Sequence, residues 1–401
     1  MRILHTSDWH LGKSLGGISR TPEHRAFCDE VVTLCDDEGV DLVLLTGDVF
    51  DTYNPPIEAE ELFFDTMARL GDRGKRAVVV IAGNHDSPDR LSAAVPLAAS
   101  HGVWILGHPH DVPRGQPRGE GRVRLLDASA SRLLLGLPGG EQAHVAALPY
   151  PSEARLRRML SLQLDERRLQ AAYSERIGQL LAELCARAPA EAVSLAASHL
   201  AVRSCMPSES ERALVGGAYQ VEAAHLPPVA YTALGHLHQP QTVADAPALA
   251  RYAGAPLAFR MSERDHQPTH SLVELSAGGE PTLRELPVQA GRPLVVWEAG
   301  SVGEVVRGVE EGLHADALIE LHLSVTERLT HAQMATLQKL PRTFLRIRVL
   351  LPAAEVEVAP EERLHALPPR ELFASFYRRQ EGTEPTSEVV ELFAELLEEA
   401  R

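Results

Sequence analysis

Five short segments concentrate carboxylates, imidazoles and one amide. They are Asp8-Trp9-His10, Gly47-Asp48-Val49-Phe50-Asp51, Gly83-Asn84-His85-Asp86, Ser198-His199 and Gly235-His236-Leu237-His238. A mixed nitrogen and oxygen donor set suits manganese, iron or zinc better than calcium or magnesium. In Asp8-x-His10 and His236-x-His238 the two side chains of an extended segment face the same way, so each pair can hold one ion. Asp48 has two oxygens with which to bridge two ions, and Gly47 lets the chain turn sharply before it. Two ions about 3.5–4 Å apart clamp the attacking and leaving oxygens of a phosphoryl group and activate a water near neutral pH. Singly, each segment is ordinary: an Asp-x-His is usually a solvated loop, and a lone His199 a satisfied core histidine. Five in order, each closing its own apolar strand, are not accidental.

The elements that must position these residues follow from the flanking pattern. Arg2–Thr6, Asp41–Thr46 (DLVLLT) and Ala77–Ala82 (AVVVIA) read as strands, the last two buried on both faces. A helix starts at Thr21-Pro22, with Thr21 as N-cap, and runs to Asp37; Pro56–Leu70 forms a second. This alternation predicts an α/β layered fold, and in such sheets sites form past the carboxyl ends of strands. Further strands are expected at Arg132–Pro138, His144–Leu148, Ala192–Ala197 and Tyr231–Leu234. Pro109–Arg122 reads as a surface loop and Ser152–Ala188 as helical. From about Gly278 the character changes to a small α+β region. Its strands are LVVWEA, ALIELHLSV and TFLRIRVLL, and its helices Val302–Gly312 and Ala332–Leu337. The expected division is 1–277, 278–352 and a tail, 353–401. The tail carries two amphipathic helices, with Leu372, Phe373, Phe376 and Tyr377 on one stripe and Phe393 on the other.

Composition sets bounds. With 401 residues, 44% hydrophobic and 23% charged, the chain suits two or three globular domains. The net charge of -16 taken alone argues against a nucleic-acid partner. It is unevenly spread, since 353–401 holds 12 Glu against 5 Arg. Cys28, Cys35, Cys185 and Cys205 form no C-x-x-C pair and read as small hydrophobes of a reducing cytoplasm. No apolar run is long enough to cross a bilayer and no secretion signal is evident.

MRILHTSDWHLGKSL, LLTGDVFDT, IAGNHDSPDRL, GHLHQPQ, RYAGAPLAF and the tail ELFASFYRRQEG…VVELFAELL resemble the bacterial SbcD nuclease family of the calcineurin-like metallophosphoesterase superfamily. The resemblance spans essentially the whole chain. It implies central β-sheets flanked by helices, a capping domain at 278–352 and a tail that binds an SMC-like ATPase similar to SbcC. It implies one ion on Asp8, His10, Asp48 and His238, and a second on Asp48, Asn84, His199 and His236, most often manganese. His85 matches the family's catalytic histidine, an imidazole able to donate a proton near neutral pH. Asp86 is expected to orient it by accepting from the far ring nitrogen. Archaeal and eukaryotic relatives often carry histidine where this chain has Asp51. The implied reaction is hydrolysis of DNA phosphodiesters, 3′-to-5′ on duplex ends and endonucleolytic on single strands and hairpins, by a homodimer. Lys13, Arg90, Arg260 and Arg264 are candidate DNA contacts. A phosphomonoesterase or cyclic-nucleotide phosphodiesterase on the same scaffold, or a non-catalytic scaffold subunit, are the competing readings.

Overall fold

The computed structural model describes residues 1–151, 166–207, 220–275, 280–341 and 343–351, side chains of 166–171 excepted, and a few tail residues including Phe373, Tyr377 and Phe393. The first compact unit comprises Met1–Leu323 and Thr330–Val349. In its six-stranded sheet, β1 (Arg2–Thr6), β4 (Leu42–Thr46), β5 (Ala77–Ile81) and β6 (Val103–Leu106) run parallel. Beyond β1, β14 (Thr269–Glu274) and β15 (Thr282–Pro287) add antiparallel. In the seven-stranded sheet, β9 (Gln142–Leu148), β10 (Val193–His199), β11 (Tyr231–Gly235) and β13 (Ala250–Tyr252) run parallel. Its borders, β7 (Arg124–Ser129), β8 (Arg132–Gly136) and β12 (Gln241–Thr242), are antiparallel.

The two sheets share a core. Ile3, Leu42, Leu44, Val79 and Ile81 of the first pack with Leu135, Val145, Ala147, Leu195 and Tyr231 of the second. The alternate residues Leu4, Val43, Leu45, Val78 and Val80 meet Phe27 and Val31 of α1 (Thr21–Asp37) and Phe63 and Met67 of α2 (Ile57–Leu70). Burial on both faces is why these strands are unbroken apolar runs, each fully buried side chain contributing roughly 1.5–3 kcal/mol. On the outer face of the second sheet, Tyr173, Ile177 and Leu181 of the helix Glu166–Cys185 cover Leu148 and Leu200.

A hairpin of β2 (Ser14–Leu15) and β3 (Ile18–Ser19) follows the first motif. It touches a three-stranded sheet of β16 (Leu294–Ala299), β17 (Leu318–Ser324) and β18 (Phe344–Leu350), where Gly16 meets Leu345. Ser301 caps the helix Val302–Glu310, and Thr330 with Gln333 forms a capping box on His331–Leu337. In the second unit, Ser324–Leu329 with Leu350–Arg401, the Val325 N–H donates to the Leu350 carbonyl at 2.9 Å. There the Phe373 ring stacks on Phe393 with centroids 4.2 Å apart, and Tyr377 lies 6.0 Å from Phe373. Leu372 and Phe376 of the expected stripe, and 152–165 of the expected helical stretch, lie outside the described residues.

Some details differ from the sequence reading. Thr21 is the first helical residue of α1 rather than its cap; Arg20 occupies the cap position, and the Thr21 N–H reaches Ser19 Oγ at 3.3 Å. Cys28 and Cys35 are fully buried and burial pushes both thiols up to about 12, whereas Cys185 and Cys205 are only half-buried. Among the described residues no helix is long and apolar enough to cross a membrane.

Candidate metal centre

Parallel pairing brings the strand ends to one edge. Thr6 lies beside Leu45, Thr46 beside Ile81, and His199 beside Gly235. The loops after β1 and β4 then run together, with the Asp8 N–H on the Gly47 carbonyl and the His10 N–H on the Asp48 carbonyl, both at 3.0 Å. Asp8, His10, Asp48 and His236 adopt positive φ of 53°, 45°, 48° and 105°. Such backbone costs an L-residue roughly 1–3 kcal/mol, and it persists here because four bends point their side chains inward. Glycine clears the space behind them. A Cβ on Gly83 would stand 2.1 Å from Asp48 Oδ1, and one on Gly235 1.9 Å from the Thr46 carbonyl.

All seven expected ligands converge in two adjoining groups. Asp8, His10 and His238 form one and Asp48, His199 and His236 the other, all buried. Asn84 joins the second: its Oδ1 lies 2.9 Å from both His199 Nε2 and His236 Nδ1. Asp48 sits between them through a single atom, Oδ2, 3.4 Å from His199 Nε2 and 3.8 Å from His10 Nε2. Its other oxygen accepts the His85 N–H at 2.9 Å.

The hydrogen bonds behind the ligands test whether cations fit. His199 Nδ1–H donates to the Thr46 carbonyl at 2.8 Å, so its Nε2 turns a lone pair toward the Asn84 oxygen unless the ring is charged. His238 Nδ1 lies 3.3 Å from Glu263 Oε1, whereas His10 Nδ1 makes no hydrogen bond and has the Asp51 carboxylate 3.3 Å away. The Nε2 atoms of His10 and His238 face each other at 3.1 Å. In both groups imidazole nitrogens and carboxylate or amide oxygens thus converge on one small volume, a setting that suits a cation. In the chain by itself, burial depresses His199 but the adjacent Asp48 carboxylate overrides it and lifts the ring to about 9. Burial holds His10 near about 4 and His236 near about 3, keeping them neutral and ready to ligate. Burial also lifts Asp8 to about 6. For Asp48, burial is outweighed by His199, His10 and His85, and the carboxyl stays well below its usual range.

His85 lies beside these groups, its ring 4.9 Å from that of His10, and its Nδ1–H donates to the Asp51 carbonyl at 2.8 Å. Asp86 does not orient it. Both Asp86 oxygens are taken by backbone N–H groups, from Gly83 at 2.8 Å, Phe50 at 2.9 Å and Val49 at 3.2 Å. Asp86 thus ties the loop after β5 to the loop after β4. Lys13 is committed to Asp51 at 2.5 Å and lies over the Phe259 ring; Arg90 pairs with Glu60, and Arg264 with the exposed Asp265 at 3.4 Å. Arg260 is exposed. Sequence reasoning missed Glu263, 2% exposed behind His238, and Phe259, whose ring packs on His10 and His238. Neither stands in a motif of chemical residues; Phe259 closes RYAGAPLAF and Glu263 follows four residues later.

The family model described as calcineurin-like phosphoesterase matches residues 1–240, and that of the type 5 capsule protein repressor C-terminal domain matches 290–381. The chain is 42% identical to the SbcD subunit of nuclease SbcCD from Bacillus subtilis (strain 168), covering 99% of this chain and 97% of that protein. It is 33% identical to the SbcD subunit of nuclease SbcCD from Rhodobacter capsulatus, covering 94% of each. A dimetal phosphatase from Danio rerio aligns with 72% of this chain and 99% of its own, at 12% identity and a TM-score of 0.41. A calcineurin-like phosphoesterase domain carrying this donor set, in a chain similar over its full length to these nuclease subunits, belongs to the SbcD family.

Proposed function

We propose that this chain is the nuclease subunit of an SbcCD-type complex, a manganese-loaded phosphodiesterase that cleaves DNA. Its expected actions are 3′-to-5′ on duplex ends and endonucleolytic on single strands and hairpins. The observation that carries the reading is the pair of side-chain clusters meeting at Asp48 Oδ2. Asp8, His10 and His238 would hold one ion, Asn84, His199 and His236 the other, and Asp48 both. Two divalent ions there supply a clamp on phosphoryl oxygens and lower the pKa of a water. His85 is the proton donor to the leaving oxygen: the Asp51 carbonyl holds Nδ1–H, so Nε2 is the nitrogen that gives and regains the proton. Phe259 and Trp9, both buried, keep water off the rings and backbone behind the ligands. The partner is an SbcC-like ATPase bound by the tail, the chain acts as a cytoplasmic homodimer, and 278–352 caps the site.

Plasmid, hairpin and duplex-end substrates, assayed with manganese beside a small aryl phosphate, test this. Cleavage of the DNAs is the expected result. Turnover of the aryl phosphate alone would overturn it in favour of a phosphomonoesterase.

A further inference from the structure

The loop that carries Phe259 and Glu263 to the metal centre also walls a cavity of about 250 Å³. Arg20, Arg264, His266 and Arg292 line it, together with residues 256–258, 267–268, 288–291 and 293–294. No carboxylate is among these described lining residues. The buried carboxylate that meets the arginines, Glu23, is already shared. Arg20 Nε and Nη2 reach it at 2.6 and 2.8 Å, the Arg292 N–H at 2.7 Å and Arg292 Nη2 at 3.3 Å. One carboxylate thus faces two guanidinium groups. Arg264 adds a third, and its neighbour Asp265 is 77% exposed, where solvent and salt screen it. The charged side chains on the described lining itself are thus Arg20, Arg264 and Arg292, while Glu30 holds the wall from behind, accepting the Gln289 and Ala290 N–H groups at 2.9 and 2.7 Å. Arg264 and Arg292 are 42% and 32% exposed, and both reach solution while Arg264 Nη1 donates to the Met261 carbonyl at 3.3 Å and Arg292 Nη2 to Glu23.

Guanidinium forks match the paired oxygens of a phosphate, and phosphate contacts fix a strand without reading its sequence. We propose that this cavity is a subsite for a phosphodiester of a bound nucleic-acid strand, away from the bond being cut. It makes the centre prefer polynucleotides to small phosphate esters. The proposal rests on the nuclease reading above. Because the same loop supplies Glu263 behind His238, a strand seated in the cavity is held in register with the ligands.

Binding without metal separates this proposal from that reading. The full chain is titrated in EDTA against a fluorescent single strand of about 20 nucleotides, over a range of salt. For Arg264→Ala/Arg292→Ala, the Kd should weaken about tenfold. The slope of log K against log salt should fall by about 1.4, as for two lost phosphate contacts on a single strand. Arg264→Glu, at the more exposed position, serves as the second variant and should weaken binding further. Folded variants with unchanged Kd and slope overturn the subsite. So does inorganic phosphate displacing the strand from the wild-type chain at micromolar concentration, which marks a free-anion site. With manganese, the variants should lower kcat/KM for the oligonucleotide relative to bis-p-nitrophenyl phosphate about tenfold. An equal loss on both substrates overturns the subsite, because the arginines then only support the centre. A wild-type chain that binds through these arginines but cleaves neither substrate supports the subsite and refutes the nuclease reading.

Discussion

His85 is the residue whose chemistry is most separable from the centre beside it. Only its backbone N–H, which any residue retains, touches Asp48. His85→Ala should therefore keep two ions per chain by elemental analysis while DNA cleavage falls about 10²–10⁴-fold; wild-type cleavage with both ions bound would remove it from the mechanism. His5, three residues before the first ligand, controls a different property. It is fully buried between Tyr231 Oη at 2.8 Å and Thr46 Oγ1 at 3.0 Å, and burial, reinforced by Arg251, lowers it to about 3. The unfolded chain takes up this proton near pH 6.5 and the folded chain only near 3, so stability is complete above 6.5 and declines as pH falls between those values. By pH 5 the loss should be about 2 kcal/mol. In EDTA, urea unfolding of His5→Gln should show a shallower decline between pH 7 and 5 than the wild type. The seven residues that converge were legible in the sequence because they lie at or just past the ends of apolar strands. The role of Asp86 was not, because adjacency to His85 suggests a pair, while the turn sends its carboxylate to the N–H groups of Gly83, Val49 and Phe50.

At the scale of elements, the centre depends on loops that brace each other. Asp86 gives the loops after β4 and β5 a common anchor, and Asp48 and Asn84 stand on those loops. Asp86→Asn replaces an acceptor oxygen with a donor facing backbone donors. The expected loss is about 2 kcal/mol in urea unfolding, with weaker manganese binding by calorimetry. Unchanged affinity would show that the two loops hold their shape independently. The doubly buried strands β4 and β5 were plain from composition, as were the strands and helices of β16 to β18. β6, β7, β13 and β14 were not read. β6 is an apolar run of only four residues, VWIL, and β13 has three; β14, THSLVE, opens on polar residues, and β7 is mostly exposed with a register shift between Leu125 and Asp127. The tail aromatics read as one stripe per helix, but pattern alone could not say that Phe373 and Phe393 would stack on each other.

For the whole molecule, metal and partner are the levers. The donors come together only in the folded chain, so manganese added to test the proposed site should bind that state selectively. At about 100 times its Kd it should add about 2.7 kcal/mol, and EDTA should lower Tm accordingly in a thermal scan. A Tm indifferent to both would argue against the ligand set. Acidity is the second global feature. Of the net -16, the tail supplies -7, from 12 Glu and 5 Arg in 353–401. Deleting 369–401 should spare manganese-dependent cleavage of single strands and abolish capture of the ATPase in a pull-down; retained capture would assign the partner to another surface.

The order of the strands along the chain also has a consequence in time. His10 and His238 face each other across 228 residues of sequence, and β14, which flanks β1, begins only at Thr269. A nascent chain leaving the ribosome displays Asp8, His10, Asp48 and Asn84 long before His236 and His238 are made. No product that stops short of residue 238 carries both sets of donors. The donor set is therefore complete only once residue 238 has been made, and the full fold around it only after β14 has paired with β1.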